Sequence, residues 1–530
     1  MMMLFGLEKE RMILQERCDS ERTQLERNRL GQFSTPFDLA TEVVREALRY
    51  LGHDTPIQFL DPAFGTGVFY SALLQQCGER VTAADGFEID SHYGAPSMQL
   101  WSGTSLDLKI ADFVRADRKS ISANLLICNP PYVRHHHLKA NDKAFLRQTM
   151  SKLGFQVSGL AGLYCYFMLL AQECLAPDAV SSWLVPSEFM DVNYGDVLKQ
   201  YLLERVSLLR VHRFDPNEVQ FKDALVSSVV IWFRNVKPGP ENEVTFSFGG
   251  TIEHPVQQTK RALSSLALEP KWTRLAEPVA PMCVRNSQVI LGDMFLIKRG
   301  IATGDNSFFI ITEEQAREYG FSRQFLRPIL PSPRYLKTEE IDADEEGMPK
   351  IEKRLFLIDC PLDEGELSRR DPALFKYLKA GESSVATGYL CRSRSPWYSQ
   401  ESRPPSPFLC TYMGRAGSGD GKAFRFIHNR SSATAANVYL LLYPQAGLRM
   451  AIETPGVAER IFGLLQQIPI GTMTGEGRVY GGGLHKLEPR ELANVPLDGI
   501  EDLLPYQTLK SVQMHFAYPS SAEAGQTMAI

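Results

Sequence analysis

The sequence predicts an α/β protein: a doubly wound domain with a mostly parallel sheet, followed by a mixed α+β domain. Strand-like runs at "IQFLDPAFGTG", "VTAADGFEID", "NLLICNPPY", "SSWLVPSEF" and "LVSSVVIWF" alternate with helical patterns such as Asp38 to Tyr50. That rhythm belongs to sheets whose parallel strands are joined by helical crossovers. The segment "VKPGPENE" (236–243) can continue neither element and reads as a linker. Beyond it the pattern turns irregular and rich in Pro, Gly, Ser and Arg. A chain of 530 residues is expected to hold roughly two or three domains.

In chain order, residues 1–30 form the first element. "EKERMILQERCDSERTQLERNR" carries six basic and six acidic side chains, which predicts a solvated helix packed through Met12, Ile13 and Leu25. The doubly wound domain is assigned to residues 31–240, with its last strand ending near Asn235, and the second domain to 241–500. A polar tail, 501–530, ending "SSAEAGQTMAI", is expected to be partly disordered.

Composition narrows the function classes. Apolar residues make up 44% and charged residues 22%, as in ordinary soluble proteins. The net charge of -5 means that a nucleic-acid surface would have to concentrate its basic residues locally. Residues 254–300 hold seven Lys or Arg against three acids, and 388–430 hold seven against two. Nine cysteines are scattered without a CxxC pair, which suggests neither a zinc site nor a disulfide framework. The longest apolar stretches are too short to cross a bilayer. A cytoplasmic protein without a membrane partner is expected, and a monomer.

"FLDPAFGTGVF" (59–69) runs from a strand through a glycine-rich turn into a helix. Gly65 and Gly67 let the backbone turn tightly against a ligand at a strand's carboxyl end, where doubly wound sheets bind cofactors. No GK[ST] follows, and the third glycine of a dinucleotide fingerprint is missing. Asp61, before the turn, suits an amine-bearing ligand better than a pyrophosphate. Glu88 in "GFEID" is placed to grip ribose hydroxyls. Asp112 and Phe113 in "IADFV" offer an acceptor for an adenine amino group and a ring to stack on it. A nucleoside with a cationic side chain fits all three positions, and S-adenosylmethionine is the candidate.

"ICNPPYVRHHH" (127–137) ends another strand in a rigid polar corner. An exocyclic adenine amine is a poor nucleophile because its lone pair is delocalised into the ring. Two carbonyl acceptors that take both N6 hydrogens localise that pair, and the Asn129 side chain and the Pro130 carbonyl can supply them. Pro130 and Pro131 stiffen the corner so that the acceptors are in place beforehand. Tyr132 supplies a stacking face. Arg134 is placed for a backbone phosphate; the three histidines after it lack the carboxylate or cysteine pattern of a metal site.

The sequence resembles the gamma-class adenine-N6 DNA methyltransferases of bacterial restriction-modification systems. The motifs covering residues 31–235 carry the likeness; residues 290–497 match more loosely. The resemblance implies a Rossmann-like S-adenosylmethionine-dependent catalytic domain followed by a DNA target-recognition domain. "GQFSTP" (31–36) matches the N-terminal cofactor element, implying that Phe33 and Thr35 lie beside the methionine part. "DPAFGTGVF" implies cofactor contacts from Asp61, Ala63 and Gly65; Glu88, Asp112 and Phe113 match in turn. "FKDALVSSVVIWF" implies that Phe221 stacks on the flipped adenine opposite Tyr132, since a duplex base must be extruded to reach such a pocket. In the second domain "FLIKRGIATGDNSFFII", "RSRSPWYSQ" and "GGGLHKLEP" resemble recognition segments, with Arg392, Arg394, Trp397 and Tyr398 as the basic and aromatic DNA-binding candidates. The implied partners are double-stranded DNA and a cognate restriction endonuclease on a separate chain.

Four alternatives carry the same motif, a relative of it, or the same fold. Protein glutamine methyltransferases share NPPY but usually place a small helical domain first, and some RNA guanine-N2 enzymes use a close relative. A cytosine-N4 enzyme would more often have Ser at position 129. A non-catalytic specificity subunit would not need Asn129, Pro130, Tyr132, Asp61 and Glu88 together.

Overall fold

The structure is a computed structural model and describes residues 2–218, 220, 227–275, 289–415, 422–480 and 482–503. It divides into two units, Met1–Ala280 with Tyr480–Gly483, and Pro281–Val479 with Leu484–Ile530.

The first unit is built on nine strands: β1 (Ile57–Asp61), β2 (Val81–Glu88), β3 (Leu106–Ile110), β4 (Ala123–Cys128), β5 (Leu175–Pro186), β6 (Ser207–Arg213), β7 (Ser228–Arg234), β8 (Glu243–Gly250) and β9 (Pro255–Ala262). Their order is β3-β2-β1-β4-β5-β7-β6-β8-β9. Neighbours among β1 to β5 are parallel. β7 runs against both β5 and β6, β8 is parallel to β6, and β9 is antiparallel to β8.

The helices that accompany the sheet include α1 (Met2–Ser20), α2 (Gln24–Leu30), α3 (Phe37–Tyr50), α4 (Val68–Cys77), α5 (Ser91–Leu100), α6 (Ala140–Lys152), α7 (Leu163–Leu170) and α8 (Asp196–Glu204). The continuous apolar runs of the central strands follow from having both faces covered. Along β4, β5 and β7 successive residues alternate between two cores. Leu126, Cys128, Trp183, Val185 and Ile231 join α6, α7 and α8 on one face; Leu125, Ile127, Leu184, Val230 and Trp232 join α3 and α4 on the other. In α3 the residues Leu39, Ala40, Val43, Val44 and Ala47 form the buried stripe, spaced at the helical period. Burying one such Val or Leu contributes about 1.5–3 kcal/mol.

Two expectations are corrected here. The segment 236–243 does not end the sheet, because β8 and β9 add two more strands beyond it; its Pro and Gly residues make a turn. The charged N-terminus does not pack through Met12, Ile13 and Leu25, which are exposed. Two helices form, and α1 buries Glu8, Arg11, Leu14 and Cys18, residues three or four apart that share one face. Its buried charges are satisfied internally: the Arg11 guanidinium meets the Glu8 carboxylate at 2.7 Å, and the Ser71 hydroxyl donates to Glu8 at 2.5 Å.

The second unit is mixed α+β. Tyr439–Pro444 lies between Phe295–Arg299 and Phe408–Thr411 in a five-stranded sheet. Leu355–Ile358 pairs with Ile310–Thr312 and Leu326–Leu330 in a four-stranded one. Ile461, Phe462 and Leu465 of the helix Val457–Gln467 enter the core of the first sheet. The tail beyond residue 503 lies outside the described residues.

Candidate active site

β1 lies between β2 and β4, so the chain leaving β1 and the chain leaving β4 flank the point where the strand order reverses, the usual ligand crevice of a doubly wound sheet. Asp61 ends β1, and Asn129 follows β4.

Asp61 is 1% exposed. Its Oδ1 accepts the Ala63 N–H at 3.0 Å. Burial pushes its carboxyl up to about 7, against the Ala63 N–H and the Cys128 thiol, which favour the charged form. Glu88 closes the turn from the next strand: its Oε2 accepts the Gly65 N–H at 2.9 Å and its Oε1 the Asp90 N–H at 2.8 Å. Burial also raises the Glu88 pKa. The two glycines differ. Gly67 (φ 86°) caps α4, and a Cβ there would come within 2.5 Å of the Phe64 ring. Gly65 (φ 56°) has nothing within 4 Å of an added Cβ; its backbone borders open space, with Ala63 half-buried beside it. A buried carboxylate with no cation beside it among the described residues, next to an open glycine cradle, fits a ligand bearing an ammonium group.

Asp112 is partly exposed. Its Oδ1 caps the next turn by accepting the Val114 N–H at 3.0 Å, and Arg115 Nε stands 3.5 Å from its Oδ2. Phe113 departs from expectation. It is 1% exposed, packed between Phe87 and Phe167 at ring separations of 5.3 Å each, and so has no open stacking face. The apolar core that also holds Leu60, Phe87 and Leu126 claims the ring.

Asn129 is gripped from the N-terminal side. Its Nδ2 donates to the Phe33 carbonyl at 3.1 Å and to the Thr35 hydroxyl at 2.9 Å. The Phe33 carbonyl can only accept, so the nitrogen must face it and the oxygen must face away. That oxygen, Oδ1, is buried and has no hydrogen-bond partner. Thr35 is buried and Phe33 half-buried. Gly31 makes the approach possible: it has φ 68°, and a Cβ there would stand 2.5 Å from the Tyr132 nitrogen. The Tyr132 N–H donates to the Gly31 carbonyl at 3.2 Å. Pro130 is buried and Pro131 half-buried. The Tyr132 ring, 9% exposed, lies 5.6 Å from Phe33 and donates its hydroxyl to the Leu184 carbonyl at 3.0 Å. Phe221 lies outside the described residues.

Arg134 is exposed at the start of a single 3-10 turn formed by His135–His137. Burial and the neighbouring positive groups lower the His136 pKa. Among the described residues no group of three or more His, Cys, Asp or Glu is arranged to hold a metal.

The 392–398 stretch is corrected in part. Arg392 is exposed. Arg394, however, spends its guanidinium on the Thr303 carbonyl at 2.7 Å and the Ala302 carbonyl at 2.5 Å. Trp397 packs about 6 Å from Phe308 and Phe309 (6.1 and 6.0 Å). Tyr398 is 2% exposed and donates to the Leu362 carbonyl at 2.7 Å. An aromatic core forms where a nucleic-acid surface was expected. Sequence reading missed a different grouping, in which Arg299 lies over the Tyr412 ring at 4.1 Å and Lys486 at 5.2 Å. Its signal was present, since "FLIKRG" and "GGGLHKLEP" both supply it.

Comparisons with known proteins bear on the kind of protein this chain resembles. Residues 104–220 match the family model "Eco57I restriction-modification methylase", and residues 272–523 match "Type II methyltransferase M.Eco57I, C-terminal domain". Type II methyltransferase M.AccI of Acinetobacter calcoaceticus is 27% identical over 90% of this chain and 87% of its own length. M.XamI of Xanthomonas campestris pv. amaranthicola is 26% identical over 90% and 86%. Among solved structures, the type IIL restriction-modification enzyme MmeI in complex with DNA shares the fold, with a TM-score of 0.56 at 14% identity over 92% of this chain and 69% of that one. The doubly wound fold is the one found in S-adenosylmethionine-dependent methyltransferases. The matches make the chain similar to DNA methyltransferases of restriction-modification type, the Eco57I methylases among them. No helix among the described residues is long and apolar enough to cross a membrane.

Proposed function

We propose that this chain is a site-specific DNA adenine-N6 methyltransferase that extrudes its target base and protects DNA from a cognate endonuclease carried on a separate chain. One observation carries the reading: the Asn129 oxygen is buried, unpaired and turned away from the segment that holds its nitrogen. A buried acceptor without a partner costs about 1–3 kcal/mol, and such groups call for a functional explanation. An amine hydrogen satisfies it.

Asn129 Oδ1 and the Pro130 carbonyl would take the two N6 hydrogens, pulling the nitrogen toward tetrahedral geometry and aiming its lone pair at a methyl donor. Phe33 and Thr35 keep the amide from rotating. Asp61 would hold the donor's ammonium group, Glu88 its ribose, and Asp112 its adenine amine; S-adenosylmethionine supplies the electrophilic methyl. Tyr132 and Phe221 would sandwich the extruded base, where stacking contributes about 1–3 kcal/mol per base. Arg134 and Arg392 would contact backbone phosphates. The protein would act as a monomer in the cytoplasm.

Single-molecule sequencing of DNA from cells expressing the chain tests this directly. The expected result is N6-methyladenine at one recurring sequence. Labelled methyl found on cytosine, RNA or polypeptide, and never on duplex adenine, would overturn the reading.

A further inference from the structure

α1 does more than pack against α4 and α5. Gln15, half-buried on that helix, uses both ends of its amide. Its Oε1 accepts the Thr66 hydroxyl at 2.6 Å, and Thr66 stands between Gly65 and Gly67 in the cofactor turn. Its Nε2 donates to the Ser34 hydroxyl at 2.8 Å and to Asp19 at 3.0 Å. Ser34 stands between Phe33 and Thr35, the two residues that hold the Asn129 amide. Asp19 completes the arm by accepting the Ser34 hydroxyl at 2.9 Å. On the other arm, Arg11 donates to Thr66 at 3.0 Å and Trp101 donates to the Thr66 carbonyl at 3.0 Å.

We propose that Gln15 is a positioning residue, whose single amide ties the cofactor turn to the segment that orients Asn129, so that an ordered turn and an aimed acceptor occur together. A side-chain amide suits the task because it has an acceptor and a donor about one bond angle apart, fixed in one plane. A carboxylate at this position could accept from Thr66 but could not donate to Ser34. Ser34 is exposed, so its bond to Gln15 is not needed to fill the core. Coupling through such a short, contiguous chain of bonds has a physical basis that mere proximity lacks. The inference rests on the roles given above to Asn129 and the glycine turn.

The test separates the two arms in the full-length protein. S-adenosylmethionine binding is measured by calorimetry without DNA, and methyl transfer with tritiated cofactor at saturation. Thr66→Val breaks the turn arm and should raise the cofactor Kd about tenfold, with a smaller loss in kcat. Ser34→Ala breaks the Asn129 arm and should lower kcat about tenfold with Kd held near wild type. Gln15→Ala should do both. Gln15→Glu keeps an acceptor for Thr66 but loses the donor to Ser34, so it should restore affinity and not kcat.

Wild-type values for Gln15→Ala overturn the proposal. So does an equal loss in both parameters across all four variants that tracks their melting temperatures, which is the mark of a purely structural role. Should Gln15→Ala fail to fold, the split between Gln15→Glu and Thr66→Val decides. Wild-type protein that binds cofactor but never methylates duplex DNA refutes the proposed function instead, a result distinct from any of these.

Discussion

Residues 129–134 and 392–398 are alike in composition: each mixes proline, aromatic rings and arginine. They end differently. In 392–398 the Arg394 guanidinium is spent on the 302–303 carbonyls and the Tyr398 hydroxyl on the Leu362 carbonyl. In 129–134 the Asn129 nitrogen is firmly held while its oxygen is buried and unpaired. Basic and aromatic interleaving therefore does not identify a binding surface. A buried polar atom without a partner asks for an explanation that packing does not supply, and at Asn129 that atom follows a strand end beside the ligand crevice.

The largest expected effect tests that contrast at its centre. Asn129→Ala should reduce methyl transfer about 100- to 1000-fold, the scale of losing one preorganised transition-state contact, while calorimetric affinity for S-adenosylmethionine stays near wild type. A near-normal rate with tritiated cofactor would erase the distinction between the two stretches.

Next comes Asp61. Its folded pKa, about 7, lies above the ordinary 3.8, so the fold favours the neutral acid. The stability it contributes is present below 3.8 and is lost as pH rises toward about 7. An ammonium ligand needs the charged form, so the affinity for S-adenosylmethionine should fall by up to about tenfold per pH unit below pH 7. Titration calorimetry across pH 5.5 to about 8 measures this, and Asp61→Asn should bind weakly with the slope abolished. A flat profile in the wild type would separate Asp61 from the cofactor.

Gly31→Ala probes the grip on the NPPY corner. Its φ of 68° and the 2.5 Å approach to the Tyr132 nitrogen predict a loss of at least about 2 kcal/mol in stability, together with a drop in kcat. Chemical denaturation and single-turnover rates measure the two effects.

The smallest effects lie in the second unit. Arg394→Ala should cost about 1–3 kcal/mol by leaving buried carbonyls unsatisfied, seen as lost hydrogen-exchange protection around residues 300–306. Arg392→Ala should stay within about 0.5 kcal/mol. Equal effects would mean that Arg394 is as free as Arg392.

Much of the site was legible because strand, turn and helix signals fall within a few residues of one another. Asp61, Gly65, Glu88 and Asn129 each end or follow an apolar run, and local patterning suffices to place them at strand ends. Phe113 and Tyr398 were misread because an aromatic beside a polar residue suits a core as well as a stacking platform; only the neighbours Phe87, Phe167 and Leu362 distinguish the two. The N-terminal helix was misread because its buried face carries Glu8 and Arg11, which look solvated until Ser71 and Thr66 are seen to satisfy them.

The sequence by itself determined the doubly wound plan and the chemistry at its strand ends, since periodicity and turn residues act within a few positions. Tertiary structure alone decided that the sheet runs on through β8 and β9, which arginine is spent inside the fold, and that Gln15 meets Thr66 and Ser34. Those outcomes depend on hydrogen bonds between residues far apart in the chain, where no local pattern records which partner is in reach.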